Sequence, residues 1–104
     1  MVLQVLNERK IYIPNIFTPN NDGVNDLFTI QSDNAIELIR SFRVYNRWGT
    51  VVFEARNFPP NSNVAWNGFY NGRLLNPGVY VYVIDVDFLD GLSQSYSGDV
   101  TLLR

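Results

Sequence analysis

The sequence contains no cysteine and no histidine. Without cysteine there is no disulfide framework, no thiolate nucleophile and no thiolate metal ligand. Without histidine the chain lacks the usual general base, the usual zinc ligand and the side chain that changes charge near neutral pH. Lysine occurs once, at Lys10, against seven arginines, and the net charge is −2. Such a charge gives no long-range field for phosphate, which argues against nucleic acid as a partner. No apolar run approaches the roughly 18 residues that a membrane-spanning helix needs, so no transmembrane segment is expected. No signal peptide is expected at Met1, where Val-Leu-Gln-Val-Leu begins at once. If the domain acts outside the cytoplasm, it is expected to travel as part of a longer protein.

What is present is apolar and aromatic. Hydrophobic residues make up 46% of the chain and charged residues only 17%, so ordering entropy can be offset by burial and disorder is not expected. The 104 residues suit one domain. A chain of this size buries roughly two-thirds of its unfolded surface, enough for one core without staples.

Proline and glycine punctuate short apolar runs, and no helical period survives more than two turns. Strands are expected over 11–13, 27–30, 38–46, 51–55, 79–88 and 93–103. The long loop 14–26, the loop 57–65, a turn region from Trp66-Asn-Gly through Asn71-Gly72 to Asn76-Pro-Gly78 and the Asp90-Gly91 turn separate them. The spacing predicts an all-β fold, an antiparallel Ig-like β-sandwich of six to eight strands. In 79–88, Tyr80, Tyr82, Ile84, Val86 and Phe88 form one face, expected to be core throughout. The other face runs from Val79, Val81 and Val83 to Asp85 and Asp87. In 38–46 the expected inward set is Leu38, Phe42 and Val44, with Arg43 and Tyr45 facing out.

Three constellations could carry function. In Thr18-Pro-Asn20-Asn-Asp22-Gly23-Val24-Asn25-Asp26, oxygen ligands alternate around a glycine, as calcium loops require. Asn20, Asp22, the Val24 carbonyl and Asp26 would be the ligands. The first position is Thr and the twelfth is Thr29 rather than Glu, so a calcium site would be weak, about 10⁻⁴ to 10⁻³ M. The competing reading is a loop of Asx turns with no metal and no cofactor. The second is Asn46-Arg47-Trp48-Gly49: either a hairpin turn whose Trp covers the core, or a presented Arg–Trp pair suited to a protein interface. The third is Trp66-Asn67-Gly68 with Tyr70, either a core Trp before a turn or an aromatic platform for sugar. Enzymatic activity fails on inventory. Ser93, Ser95 and Ser97 have no histidine to activate them. Asp85 and Asp87 read more readily as gatekeepers against edge pairing than as an acid–base pair.

These phrases, taken together, resemble a known family. Ile13-Pro-Asn-Ile-Phe-Thr-Pro-Asn-Asn-Asp-Gly-Val-Asn-Asp26, Phe42-Arg-Val-Tyr-Asn-Arg-Trp-Gly49, Trp66-Asn-Gly68, Pro77-Gly-Val-Tyr-Val-Tyr82 and Gly98-Asp-Val-Thr-Leu-Leu-Arg104 occur in its order. The chain is similar to the gliding motility-associated C-terminal domain, the type B sorting domain of the type IX secretion system of Bacteroidota. The resemblance covers 11–104 and leaves 1–10 as a linker remnant or an edge strand. It implies a C-terminal secretion signal on a large cargo protein, an adhesin or an enzyme. The cargo would pass through the periplasm to the cell surface. The implied partners are the outer-membrane translocon, its shuttle proteins and a dedicated outer-membrane protein encoded near the cargo. Under this reading Asn46, Arg47, Trp48, Gly49, Val100, Leu102 and Arg104 are the expected recognition residues. The alternative is an adhesin-type β-sandwich that itself binds carbohydrate or a surface protein. A buried Trp66 would remove that alternative's main residue.

Overall fold

The computed structural model describes residues 11–19, 26–32 and 35–103. Nine strands run through them, with no helix: β1 (Ile11–Tyr12), β2 (Ile16–Phe17), β3 (Gln31–Ser32), β4 (Ile36–Tyr45), β5 (Val51–Phe58), β6 (Phe69–Tyr70), β7 (Arg73–Leu74), β8 (Gly78–Phe88) and β9 (Ser93–Leu102). The fold is all-β and sandwich-like, as the turn spacing predicts. The count exceeds the expected six to eight because three two-residue strands, β2, β6 and β7, lie in stretches read as loop or turn. The stretch 27–30 pairs through a single bridge, Phe28 to Trp66, and the strand proper follows at β3.

The layers are unequal. One is a five-stranded sheet in the order β2-β9-β8-β4-β5. The other consists of the β1-β3 pair, the β6-β7 hairpin and the Phe28–Trp66 bridge. Pairing is antiparallel except where β2 joins β9 in parallel, with Ile16 beside Thr101 and Phe17 beside Leu102. The small β6-β7 hairpin turns at Asn71-Gly72, both at positive φ (54° and 80°), the conformation that a two-residue type I′ turn requires.

The core lies between the layers and is rich in aromatics. Phe17 contacts Trp66 at 5.2 Å between ring centroids and Phe28 at 5.9 Å; Phe28 meets Phe42 edge-on at 5.5 Å. Aliphatic residues Ile39, Val44, Ile84, Val86, Val100 and Leu102 fill the sheet side. Tyr80, Ile84, Val86 and Phe88 of β8 are buried as the alternation predicts, and Tyr82 is half-buried.

β4 departs from the expected phase. Its buried apolar set is Ile36, Ile39, Phe42 and Val44, not Leu38, Phe42 and Val44, and Ser41 is buried beside them. Register shifts between Ile36 and Leu38 and between Ile39 and Ser41 explain the difference. Each bulge adds a residue to one strand and reverses the alternation beyond it. Strict period-two counting places Leu38 inward; the bulges place Ile39 there instead.

Candidate functional site

The β4–β5 hairpin is closed by its own asparagine. The Asn46 side-chain carbonyl accepts hydrogen bonds from the backbone N–H groups of Trp48 and Thr50, each at 2.9 Å. Backbone bonds Asn46 N to Thr50 O (2.9 Å) and Gly49 N to Asn46 O (3.0 Å) complete the loop. Gly49 sits at φ 83° with open space where a Cβ would go, so it is required by backbone conformation rather than by crowding. Asn46 and Gly49 therefore build the turn. Arg47 and Trp48 are what the turn presents.

Trp48 is 80% exposed. The reading in which it caps the core is thereby corrected: the indole stands in solvent. The Arg47 guanidinium carbon lies 5.8 Å from the centroid of the Trp48 ring, within cation–π range. Arg47 has no carboxylate partner among the described residues, whereas Arg40, Arg43 and Arg56 are paired with Asp87 or Glu54. Beside this pair lies an open cavity of about 340 Å³. Asn46, Arg47 and Trp48 form one wall; Leu75, Pro77 and Val79 stand among its other lining residues. Tyr80 donates its hydroxyl to the Asn76 carbonyl at 2.7 Å, which fixes that second wall.

An apolar surface adjoins the cavity. Val79 and Val81, at the start of β8, are 53% and 38% exposed. Val81 pairs with Tyr45 across the sheet, and Tyr45 with Val51. These valines are the interface candidates that sequence reasoning passed over. Their signal was visible as an apolar stretch on the face opposite the core, but the sequence does not say which end of that face lacks cover.

The expected residues of the last strand are placed differently. Val100 and Leu102 are fully buried, so neither offers a side chain to a partner in the folded domain. The physical reason is phase: Val100 pairs with Tyr80 and Leu102 with Gly78 on the core side, which leaves Asp99, Thr101 and Leu103 as the outward residues. Arg104 lies outside the described residues. So do Asn20, Asp22 and Val24 of the proposed calcium loop; only Asp26 of that set is described. Among the described residues no group of carboxylates is placed to hold a metal ion.

Asp85 and Asp87 are not gatekeepers of an edge, because β8 lies between β9 and β4. Asp85 accepts hydrogen bonds from the Ser41 hydroxyl (2.8 Å) and from the Ser95 hydroxyl. Asp87 accepts from Ser93 Oγ (2.7 Å) and from Arg40 Nε (2.7 Å). The bond from Ser95, then that from Ser41, holds the Asp85 carboxyl below its ordinary range against partial desolvation. Ser93 and then Arg40 do the same for Asp87. Two carboxylates held ionised by hydroxyl donors are poor general acids at neutral pH.

Trp66 is completely buried. Its backbone pairs with Phe28, its indole N–H donates to the Phe69 carbonyl at 3.2 Å, and its ring meets Tyr80 edge-on at 5.2 Å. A sugar platform of Trp48, Trp66 and Tyr70 therefore does not exist, and the carbohydrate-binding alternative loses its main residue.

A family model described as CHU_C type IX secretion signal domain matches residues 11–102, and the chain belongs to that family. No curated protein matches the sequence. Secretion targeting is thus the role of the domain, exported as part of a longer protein to the cell surface or beyond. A secretion signal is not an enzymatic family.

Proposed function

We propose that the domain is an address of the type B, gliding-associated kind, read in the periplasm by the outer-membrane translocon and a dedicated outer-membrane partner. The match over 11–102 carries this reading. The recognition surface is the presented Arg47–Trp48 pair with the apolar wall of Pro77, Val79 and Val81. Three features support that placement. Trp and Arg are the side chains that most often dominate binding energy. Trp48 is exposed where the core has no need of it. The hairpin carrying the pair is held by Asn46 and Gly49, so little ordering remains to be done on binding. Val100 and Leu102 contribute by anchoring the last strand in the core. Surface residues on a rigid sandwich can serve as an address without chemistry.

The test is surface display of a periplasm-targeted fluorescent reporter that carries this chain at its C-terminus. The host is a type IX-competent strain supplied with the partner protein, beside a secretion-null mutant. Fluorescence that external protease removes from the competent strain only is the expected result. Trp48→Ala and Arg47→Ala should each leave a folded fusion in the periplasm. Wild-type display of both variants would move the recognition surface elsewhere on the domain. Periplasmic retention of the folded unmutated fusion would show that these residues alone are not a sufficient address.

A further inference from the structure

The five-stranded sheet has two unlike edges. The β5 edge is protected: Glu54 pairs with Arg56 (2.6 Å) and Arg43 (3.3 Å), a register shift interrupts its pairing near Tyr45, and Asn57 turns to φ 55°. Charges and bulges of this kind discourage edge-to-edge association. The β9 edge has little such protection. Among the described residues β2 covers it only at its end, through Thr101 N to Asn15 O and Leu103 N to Phe17 O, both 2.9 Å. From Ser93 to Asp99 no strand pairs with that edge among the described residues. The stretch has no proline, no basic residue and no register shift, and most of it is exposed.

The direction of its free backbone groups follows from these bonds. Thr101 and Leu103 point their N–H groups toward β2, and backbone groups alternate along an antiparallel strand. Ser93, Ser95, Ser97 and Asp99 therefore turn their N–H and C=O groups into the open edge. Their even-numbered neighbours bond to β8.

We infer that this edge pairs with the same edge of a second copy of the chain, antiparallel about a two-fold axis at Tyr96. The open stretch is bounded by β2 at one end and by the Asp90-Gly91 turn at the other. A two-fold axis that uses all of it passes through Tyr96. Ser93 then faces Asp99, Ser95 faces Ser97, and Gln94 faces Gly98. Every hydrogen-bonded pair joins two outward-pointing residues, and no two like charges stand opposite. Tyr96 lies on the axis, opposite its own copy at the closer, non-hydrogen-bonded position. The same register brings Leu92 of one copy, where the chain turns back, toward Ile16 of the other. Both are exposed in the single chain, at 56% and 45%. A seam of seven residues is smaller than a standard interface of about 1,600 Å², so the dimer is concentration-dependent rather than permanent.

The experiment is sedimentation of the full 104-residue chain over a concentration series, with amide exchange measured by NMR on the same samples. Dimer formation is expected to rise with concentration. The amides of Ser93, Ser95, Ser97 and Asp99 are expected to become protected in parallel with it. Ser95→Pro removes an outward N–H without removing a bond to β8, and should stay monomeric. Since the sequence has no cysteine, Tyr96→Cys should crosslink copies on oxidation, whereas Ser93→Cys, opposite Asp99, should not. A chain that stays monomeric throughout overturns the inference and leaves the edge to a strand from another protein. So does a dimer in which those four amides exchange freely, or one that Ser93→Cys crosslinks as readily as Tyr96→Cys.

Discussion

Gly98 of β9 lies directly against the phenol of Tyr82 on β8. A Cβ added at Gly98 would stand 2.6 Å from Tyr82 Oη and 2.9 Å from Cζ, closer than side-chain carbons approach one another. The ring has little room to yield, because its other side packs on Phe28 at 5.7 Å. Gly98→Ala is therefore expected to cost about 1–3 kcal/mol as an overpacking change, in spite of alanine's better strand propensity. Urea unfolding measures this. Tyr82→Phe in the same chain removes the nearest atom and should recover part of the loss; a double variant no more stable than Gly98→Ala would locate the strain elsewhere.

The two tryptophans should separate stability from recognition. Trp66 is fully buried with both its backbone and its indole N–H bonded, so Trp66→Ala is expected to lose roughly 3–5 kcal/mol. Trp48 stands in solvent, and Trp48→Ala should change stability by less than about 0.5 kcal/mol while abolishing display of the cargo. Denaturation midpoints and the reporter assay on the same two proteins check both halves. Equal losses of stability would contradict the exposed placement of Trp48.

The hairpin that carries Trp48 should depend on its asparagine. Asn46→Ala removes the acceptor for two backbone amides, and a net loss of about 1 kcal/mol is expected, since one exposed acceptor serves both donors. Gly49→Ala forces a side chain into the left-handed region and should cost about 1–2 kcal/mol although nothing crowds the site. Both variants should also weaken secretion through a less ordered hairpin. Unaltered melting curves would mean that the turn does not need these two residues.

Acid should unfold the domain partly through Asp85. Its folded pKa is depressed by the Ser95 and Ser41 hydroxyls, so its contribution to stability is fully present above the ordinary carboxylate pKa of about 4. That contribution disappears as pH falls through the depressed folded value. Asp87, depressed by Ser93 and Arg40, follows the same sign. Ser41→Ala with Ser95→Ala should raise the Asp85 pKa toward its ordinary value and flatten the fall in stability between about pH 4 and 2. Carbon-detected NMR titration reads the pKa itself, and an unmoved value would show that the hydroxyls are not its cause.

The sequence by itself determined the fold class, the turns and the family. Alternation in Gly78–Phe88, the Asn71-Gly72 and Asp90-Gly91 turns and the absence of helical period are local properties, and local conformational preference is written residue by residue. The core face of β8 followed from the same period. The phase of β4 did not follow, because a bulge is decided by how neighbouring strands register and not by the strand's own letters. The parallel pairing of β2 with β9 was equally out of reach, since it joins residues more than eighty positions apart. That pairing, with the β8 register, decides that Val100 and Leu102 are core while the far side of Ser93 to Asp99 has no paired strand among the described residues. The same is true of the two tryptophans. Both stand beside a glycine turn in the sequence, and only the volume left between the layers decides that Trp66 fills it and Trp48 does not. Burial is a property of which surfaces meet, and the meeting of distant surfaces is what the tertiary structure alone supplies.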